Sequence, residues 1–247
     1  MAASRPAGRT DEPPAARRLT VSLLHSFQLV CDGEPVDLPV STQRLVAFLA
    51  LHDHPLLRVY VAGALWLESS EERAAASLRS SLWRLNQPGL KVVDGVNGRL
   101  GLAQGVEVDL RSSTALAHGF LDGTPSIEDA RRDTAALSGD VLPDWYDDWI
   151  VMERERFRQL RLHALEALAE RLLAGGEFGQ AVETAQEAAI AEPLRESAHR
   201  LLVRIHLAEG NQCEALRQFD LCRRMFEDQL GVAPSPRIRE LVAHLTP

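Results

Sequence analysis

Five small or apolar residues of the C-terminal half recur after one fixed interval. Ala164, Leu168, Leu173, Gly176 and Ala181 are answered by Ala198, Leu202, Leu207, Gly210 and Ala215, each 34 positions further on. That interval is one helical hairpin of the tetratricopeptide kind. Glycine closes the turn, alanine lets the second helix pack closely, and each hairpin buries its apolar face against its neighbour. From Ile150 onward the chain therefore reads as helix after helix.

The first half has a different pattern. Leu19–Leu24 and Phe27–Cys31 are β-rich, Asp32-Gly33 is a turn signal, and Pro35–Leu38 suggests a short third strand. Ser41 or Thr42 then caps a helix running to His52, with Leu45, Val46, Phe48, Leu49 and Leu51 as its core face and Pro55 as its stop. His52 and His54 beside that stop are surface or capping residues. Leu56–Arg58 leads into a short helix, Val59–Trp66, with Trp66 as an anchor between helices. A break at Leu67–Glu72 precedes a helix over Arg73–Gln87, ended by Pro88-Gly89. Leu90–Val93 and Arg99–Leu102 form a hairpin around Asn97-Gly98. Two helices joined by a tight turn and followed by a hairpin make a winged helix-turn-helix. The expected fold is mainly α with a small β component. A disordered leader (1–18) precedes a winged-helix domain (19–110) and an all-α tetratricopeptide-like domain (111–247), whose Arg111–Leu137 stretch is helical with a break near Asp122–Pro125.

The Arg73–Gln87 stretch carries the functional signal. At about 100° per residue, Leu78, Leu82 and Leu85 share one face and Ala74 and Ala75 flank it. The other side offers Arg73, Ser80, Trp83, Arg84 and Gln87, with Ser77 and Arg79 on its shoulders. Between Arg73 and Lys91 there are four cations and no carboxylate. Arginine binds phosphate or pairs bidentately with guanine, and serine and glutamine bond base edges. Arg79 and Arg84 are thus candidates for phosphate or guanine, and Ser77, Ser80 and Gln87 for groove edges. Trp83 suits a thymine methyl or sugar, or else packs on the wing. Asn97 at the hairpin tip and the neighbouring Arg99 would reach the backbone through the wing, and Arg44 would support a phosphate. An ordinary solvated amphipathic face is the bland alternative.

Charge sharpens this reading. The 247-residue chain has a net charge of −8. Residues 1–110 hold 11 basic and 12 acidic side chains, and residues 111–247 hold 16 and 23. Nucleic-acid binding must therefore rest on a local patch rather than on bulk charge. Three dispersed cysteines, with no C-x-x-C, argue against a disulfide frame or zinc knuckle and suit a reduced cytoplasm. No apolar run approaches a membrane span. Asp144, Asp147 and Asp148, close to Trp145 and Trp149, read as an acidic turn at a helix start, not a metal centre. Without a Walker loop, dinucleotide fingerprint or G-x-S-x-G, no enzyme, cofactor or metal is expected.

Thr42-Gln-Arg44, Ala64-Leu-Trp66, Ala76–Leu85 and Gly95-Val-Asn-Gly98 make residues 19–110 resemble the OmpR-type winged helix of the SARP family, the Streptomyces antibiotic regulatory proteins. Leu57 departs from the family's Ser or Thr cap, and Arg99 stands where an aromatic is common. Asp147-Asp-Trp149, Glu153–Arg156, Pro193–Ser197 and Leu230–Ser235 resemble the bacterial transcriptional activator domain that accompanies that winged helix. The resemblance implies a transcriptional activator of a biosynthetic gene cluster. It would bind double-stranded promoter DNA as a homodimer on direct repeats and recruit RNA polymerase holoenzyme. The competing expectation is a protein-interaction scaffold with a non-functional winged helix, for which the near-neutral first half and acidic second half speak.

Overall fold

The computed structural model describes residues 17–87, 90–124 and 134–245. The chain divides into two compact units, one comprising Met1–Val21 and Gln28–Glu107, the other Ser22–Phe27 and Val108–Pro247. Residues 1–16 of the expected leader, the Pro88-Gly89 stop and residues 125–133 of the expected Arg111–Leu137 helix lie outside the described residues.

In the first unit, β1 (Leu19–Ser22), β2 (Gln28–Cys31), β3 (Glu34–Pro35) and β9 (Val106–Val108) form a sheet in the order β3-β2-β1-β9. Asp32 and Gly33 both take positive φ, 52° and 91°, which brings Cys31 opposite Glu34. The third strand is therefore shorter and earlier than Pro35–Leu38, because it begins immediately after that turn. Arg17 and Arg18 are tied to this unit. Arg17 lies 3.8 Å from Asp32, and Arg18 donates to Asp32 through its backbone (2.9 Å) and to Glu107 through its side chain (3.0 Å).

Three helices follow: α1 (Val40–Ala50), α2 (Arg58–Leu65) and α3 (Glu71–Leu85). The first is capped two to three residues earlier than expected, with Pro39 rather than Ser41 or Thr42 at its N-cap. Thr42 does not cap it; the side chain is buried and its Oγ1 has no hydrogen-bond partner. Past the end of α1, His52 Nδ1–H donates to Phe48 O at 2.7 Å, so that histidine is a capping residue. Trp66 is half-buried, and the inward-facing residue of that turn is its neighbour Leu65, 2% exposed. The strands β4 (Leu56–Leu57), β7 (Val93–Val96) and β8 (Arg99–Leu102) form a second sheet in the order β4-β8-β7. A two-residue ladder joins β5 (Asn86–Gln87) to β6 (Leu90–Lys91). Gln87 thus lies on a strand beyond α3, not on the helix.

The second unit is helical. It contains α4 (Asp109–Asp122), a 3-10 turn at Thr134–Leu137, α5 (Asp148–Ala174), α6 (Phe178–Ala191), α7 (Glu196–Glu209), α8 (Gln212–Leu230) and α9 (Pro236–Val242). The 34-residue interval is visible in the backbone itself. Gly176 N–H donates to Leu173 O and Glu177 N–H to Leu172 O; Gly210 and Asn211 repeat both bonds to Leu207 and His206. Gly176 and Gly210 sit at φ 77° and 89°, where a side chain is disfavoured. Ala164, Ala181, Ala198 and Ala215 are all fully buried, so the hairpins pack on alanine-sized contacts. The N-terminal segment Ser22–Phe27 is stitched into this unit: the Asp109 carboxylate accepts from the backbone N–H of Leu23 (2.8 Å) and Leu24 (3.1 Å). Burial pushes the Asp109 carboxyl up, against those bonds.

Two buried polar contacts lock the stack. Arg195 donates two parallel hydrogen bonds to Glu166, at 2.8 and 2.9 Å, and Ser197 donates to the same carboxylate. Burial raises the Glu166 carboxyl, but these donors win and hold it below its ordinary value. His199 is 2% exposed; its Nε2–H donates to Pro193 O (2.8 Å) and its Nδ1 accepts from Gln218 (2.7 Å). That arrangement requires the neutral ring, and burial lowers its proton affinity.

Enlarging Ala181 to leucine should cost about 2 kcal/mol by overpacking a site with no spare room, read as a lower urea midpoint with an unchanged slope. The depressed His199 gives the folded state fewer protons than the unfolded one in mild acid. Its contribution is complete above the ordinary imidazole value of 6.5 and is lost progressively as pH falls from there through the depressed value of the folded state. Unfolding free energy should therefore decline over that window, and His199→Gln should flatten the decline.

Candidate nucleic-acid interface

Sequence and neighbours together fix the orientation of α3. Ser70 is its N-cap, accepting from Arg73 N–H, and Glu71 and Glu72 lie at the positive end of the helix dipole. Three consecutive alanines, Ala74–Ala76, favour helix in the next turn. Ala74, Leu78, Ser81, Leu82 and Leu85 are buried, and α3 packs on both α1 and α2. Burying each of those leucines contributes about 2 kcal/mol. Rotating α3 to hide its arginines would expose all three.

The opposite face is open. Arg73, Arg79, Ser80, Trp83 and Arg84 are exposed, Trp83 at 70%, and Ser77 is half-buried on the shoulder. Most of the Trp83 surface is therefore open to solvent. Arg73, Arg79 and Arg84 make no side-chain hydrogen bond or ion pair with any described residue. Gln87 is exposed too, its amide donating to Trp83 O at 3.0 Å. Of the four cations counted in this stretch, Lys91 is the exception, held by Asp94 at 2.7 Å.

The wing is built by residue chemistry. Asn97 and Gly98 take φ 51° and 72°, which lets Val96 pair with Arg99 across a two-residue turn. Gly98 O accepts from Arg58 N–H at 3.0 Å, tying the tip to the start of α2. Arg99 is exposed, but one of its amines donates to Pro55 O at 3.0 Å, so its reach is set by that bond. Arg44 is half-buried on α1, with its Nε enclosed; it is set into the unit rather than presented with the α3 arginines.

Sequence reasoning passed over Arg58. It is exposed, has no side-chain partner among the described residues, and lines with Arg79 a cleft of about 500 Å³ between α2 and α3. The signal was available, since residues 54–67 contain no carboxylate. The predicted acidic turn at 144–148 proves to be the lead-in to α5, with Asp148 in its first turn. No cluster of three or more metal-ligating side chains exists among the described residues, and no described helix is long and apolar enough to cross a membrane. All three cysteines are free thiols; burial pushes Cys222 up to about 11, which makes it an inert packing residue.

The chain is similar to known proteins over most of its length. The model of the bacterial transcriptional activator domain matches residues 109–246, more than half of the chain. The regulatory protein AfsR of Streptomyces coelicolor is 32% identical over 224 residues, covering 85% of this chain and 22% of AfsR. The transcriptional regulator RedD of the same species is 34% identical over 89 residues, 36% of this chain and 25% of RedD. The chain thus spans about a quarter or less of either relative. Among solved structures, Mycobacterium tuberculosis EmbR in complex with a low affinity phosphopeptide matches with a TM-score of 0.70 at 24% identity, over 94% of this chain and 66% of EmbR. That likeness is one of fold.

The wing turn offers a check on the local geometry. Gly98→Ala places a side chain at positive φ and should lower stability by about 1 kcal/mol, seen as a lower thermal midpoint. An unchanged midpoint would mean that the tip is not held in this turn.

Proposed function

Because the chain belongs to the bacterial transcriptional activator domain family, that of the SARP regulators, we propose that it is a sequence-specific activator that inserts α3 into the major groove of promoter DNA. The supporting observation is a difference in how arginines are partnered. In the helical unit, Arg156, Arg158, Arg161, Arg195, Arg200, Arg204, Arg217 and Arg223 each lie within 4 Å of a carboxylate, and the exposed arginines without one among the described residues, Arg224, Arg237 and Arg239, are divided between α8 and α9. In the winged-helix unit, Arg58, Arg73, Arg79 and Arg84 are exposed and have no carboxylate partner among the described residues. A chain with excess carboxylates that leaves these four unpaired keeps them available for an external anion.

The division of labour follows the sequence. Residues 19–110 form the DNA-reading domain, and residues 111–247 make the protein contacts that recruit RNA polymerase holoenzyme. Two protomers occupy direct repeats upstream of a secondary-metabolite cluster, in the cytoplasm, and no catalysis is involved. Arg79 and Arg84 contact guanine or phosphate, Arg73 and Arg58 the flanking phosphates, and Ser77, Ser80 and Gln87 the base edges. Trp83 lies against a thymine methyl or sugar. Asn97 and Arg99 bring the wing to the backbone, and Arg44 supports a phosphate from α1.

Fluorescence anisotropy on a cluster promoter fragment tests the assignment. Arg79→Ala and Arg84→Ala should each weaken binding by about 1–3 kcal/mol, roughly five- to 150-fold, and at least one should relax sequence preference. Unchanged affinity and preference in both variants would remove α3 as the reading element and leave the interaction-scaffold alternative.

A further inference from the structure

The cleft between α2 and α3 has apolar surface that DNA reading does not use. Its volume of about 500 Å³ falls in the range of small-molecule sites, roughly 300–1,000 Å³. Its floor is apolar, since Ala62, Ala74 and Leu78 are buried beneath it. Its rim is apolar too, with Val59 69% and Leu67 76% exposed. The half-buried Trp66 lines it beside the turn that joins the two helices. Apolar surface left open in this way gains by being covered.

Only three of the described residues lining the cleft are charged. Arg58 begins α2, and Arg79 lies two turns into α3; both are exposed, with no side-chain partner among the described residues. Glu71 begins α3, at the turn. Glu71 and Arg79 are eight residues apart on one helix, about 12 Å along its axis, and Arg58 stands as far from Trp66 on α2 and its C-cap. The cleft therefore has a cationic end and, two turns away, an end with a carboxylate and an indole. An inorganic anion would meet the arginines and leave the floor bare. A neutral apolar molecule would cover the floor and leave the arginines unused. A dianion charged at both ends would meet repulsion at Glu71.

We propose that the cleft binds a monocarboxylate with an apolar body up to about 12 Å long. Arg58 and Arg79 take the carboxylate, to which the guanidinium fork is suited. The body lies over Ala62, Ala74 and Leu78, with its tail against Trp66. Bound there, the ligand occupies two of the four unpaired arginines available to DNA and lowers promoter affinity. That consequence rests on the proposed contact of Arg58 and Arg79 with DNA; binding of the carboxylate does not.

Isothermal titration calorimetry on the full chain tests the site. The probes are octanoate and 2-naphthoate, one flexible and one flat, each added to about 3 mM, a range that captures millimolar affinity. At least one should bind one to one. The same body with a hydroxyl in place of the carboxylate, 1-octanol or 2-naphthol, should bind at least about tenfold more weakly. Arg58→Gln and Arg79→Gln should each weaken carboxylate binding at least about fivefold and leave the alcohol unaffected. Both side chains are exposed and unpartnered, so both variants should fold as the parent does. Gly63 lines the cleft, and a Cβ there meets no heavy atom within 4 Å. Gly63→Phe should therefore block the cleft without removing a cation. In fluorescence anisotropy, saturating carboxylate should weaken promoter binding by the parent at least about threefold and leave that of Gly63→Phe unchanged. The proposal is overturned if neither carboxylate binds, if the alcohol binds as well, if both arginine variants bind like the parent, or if Gly63→Phe still binds. Bound carboxylate that leaves promoter affinity unchanged overturns the effect on DNA. If the parent binds no promoter DNA, the functional reading fails and the calorimetry still decides the site.

Discussion

The packing of Ala74, Leu78, Leu82 and Leu85 against α1 and α2 is the constraint on which the exposed arginine face of α3 depends. Those four residues settle the rotation of one helix about its axis. Once they are inside, helical geometry sends Arg73, Ser80, Trp83 and Arg84 outward. The wing is aligned by a separate device, the hydrogen bond from Arg58 N–H to Gly98 O, together with the pairing of Leu57 with Arg99. The elements that orient these side chains all belong to the first unit.

The two units treat charge differently. In the helical unit arginine is mostly structural: Glu166 and Arg195 join α5 to the start of α7, and Arg204 reaches Glu170 one repeat away. Exposed pairs of the second kind add little stability, but they leave the stack few unmatched cations. In the winged-helix unit the cations on α3 are unmatched. A net charge of −8 is therefore compatible with DNA binding. The acidic excess would discourage loose, non-specific association, while the α3 patch keeps its local sign.

Much of this was legible because it is periodic or local. The leucine stripe of α3 and the Asn97-Gly98 turn each announce themselves within a window shorter than one supersecondary unit, and the 34-residue interval shows when two adjacent hairpins are laid side by side. What escaped lies at the ends of elements or depends on distant partners. The start of α3 at Glu71 rather than Arg73 is set by Ser70. Its end at Leu85 is set by Asn86 and Gln87 pairing with β6, which removes Gln87 from the helix face. Trp66 looked like an anchor by size, yet Leu65 points inward and the indole lines the cleft beside α3. Nothing local in Ser22–Phe27 signals that it pairs with the helical unit through Asp109, 85 and 86 residues away.

The salt dependence of binding to promoter DNA tests the central claim most directly. If the unpaired α3 face meets the duplex, at least three arginines displace condensed counterions. The logarithm of the association constant should then fall linearly with the logarithm of salt, with a slope of about −3 or steeper. A slope near zero would mean that these cations never meet phosphate, and the assignment of α3 as the DNA-binding surface would be wrong.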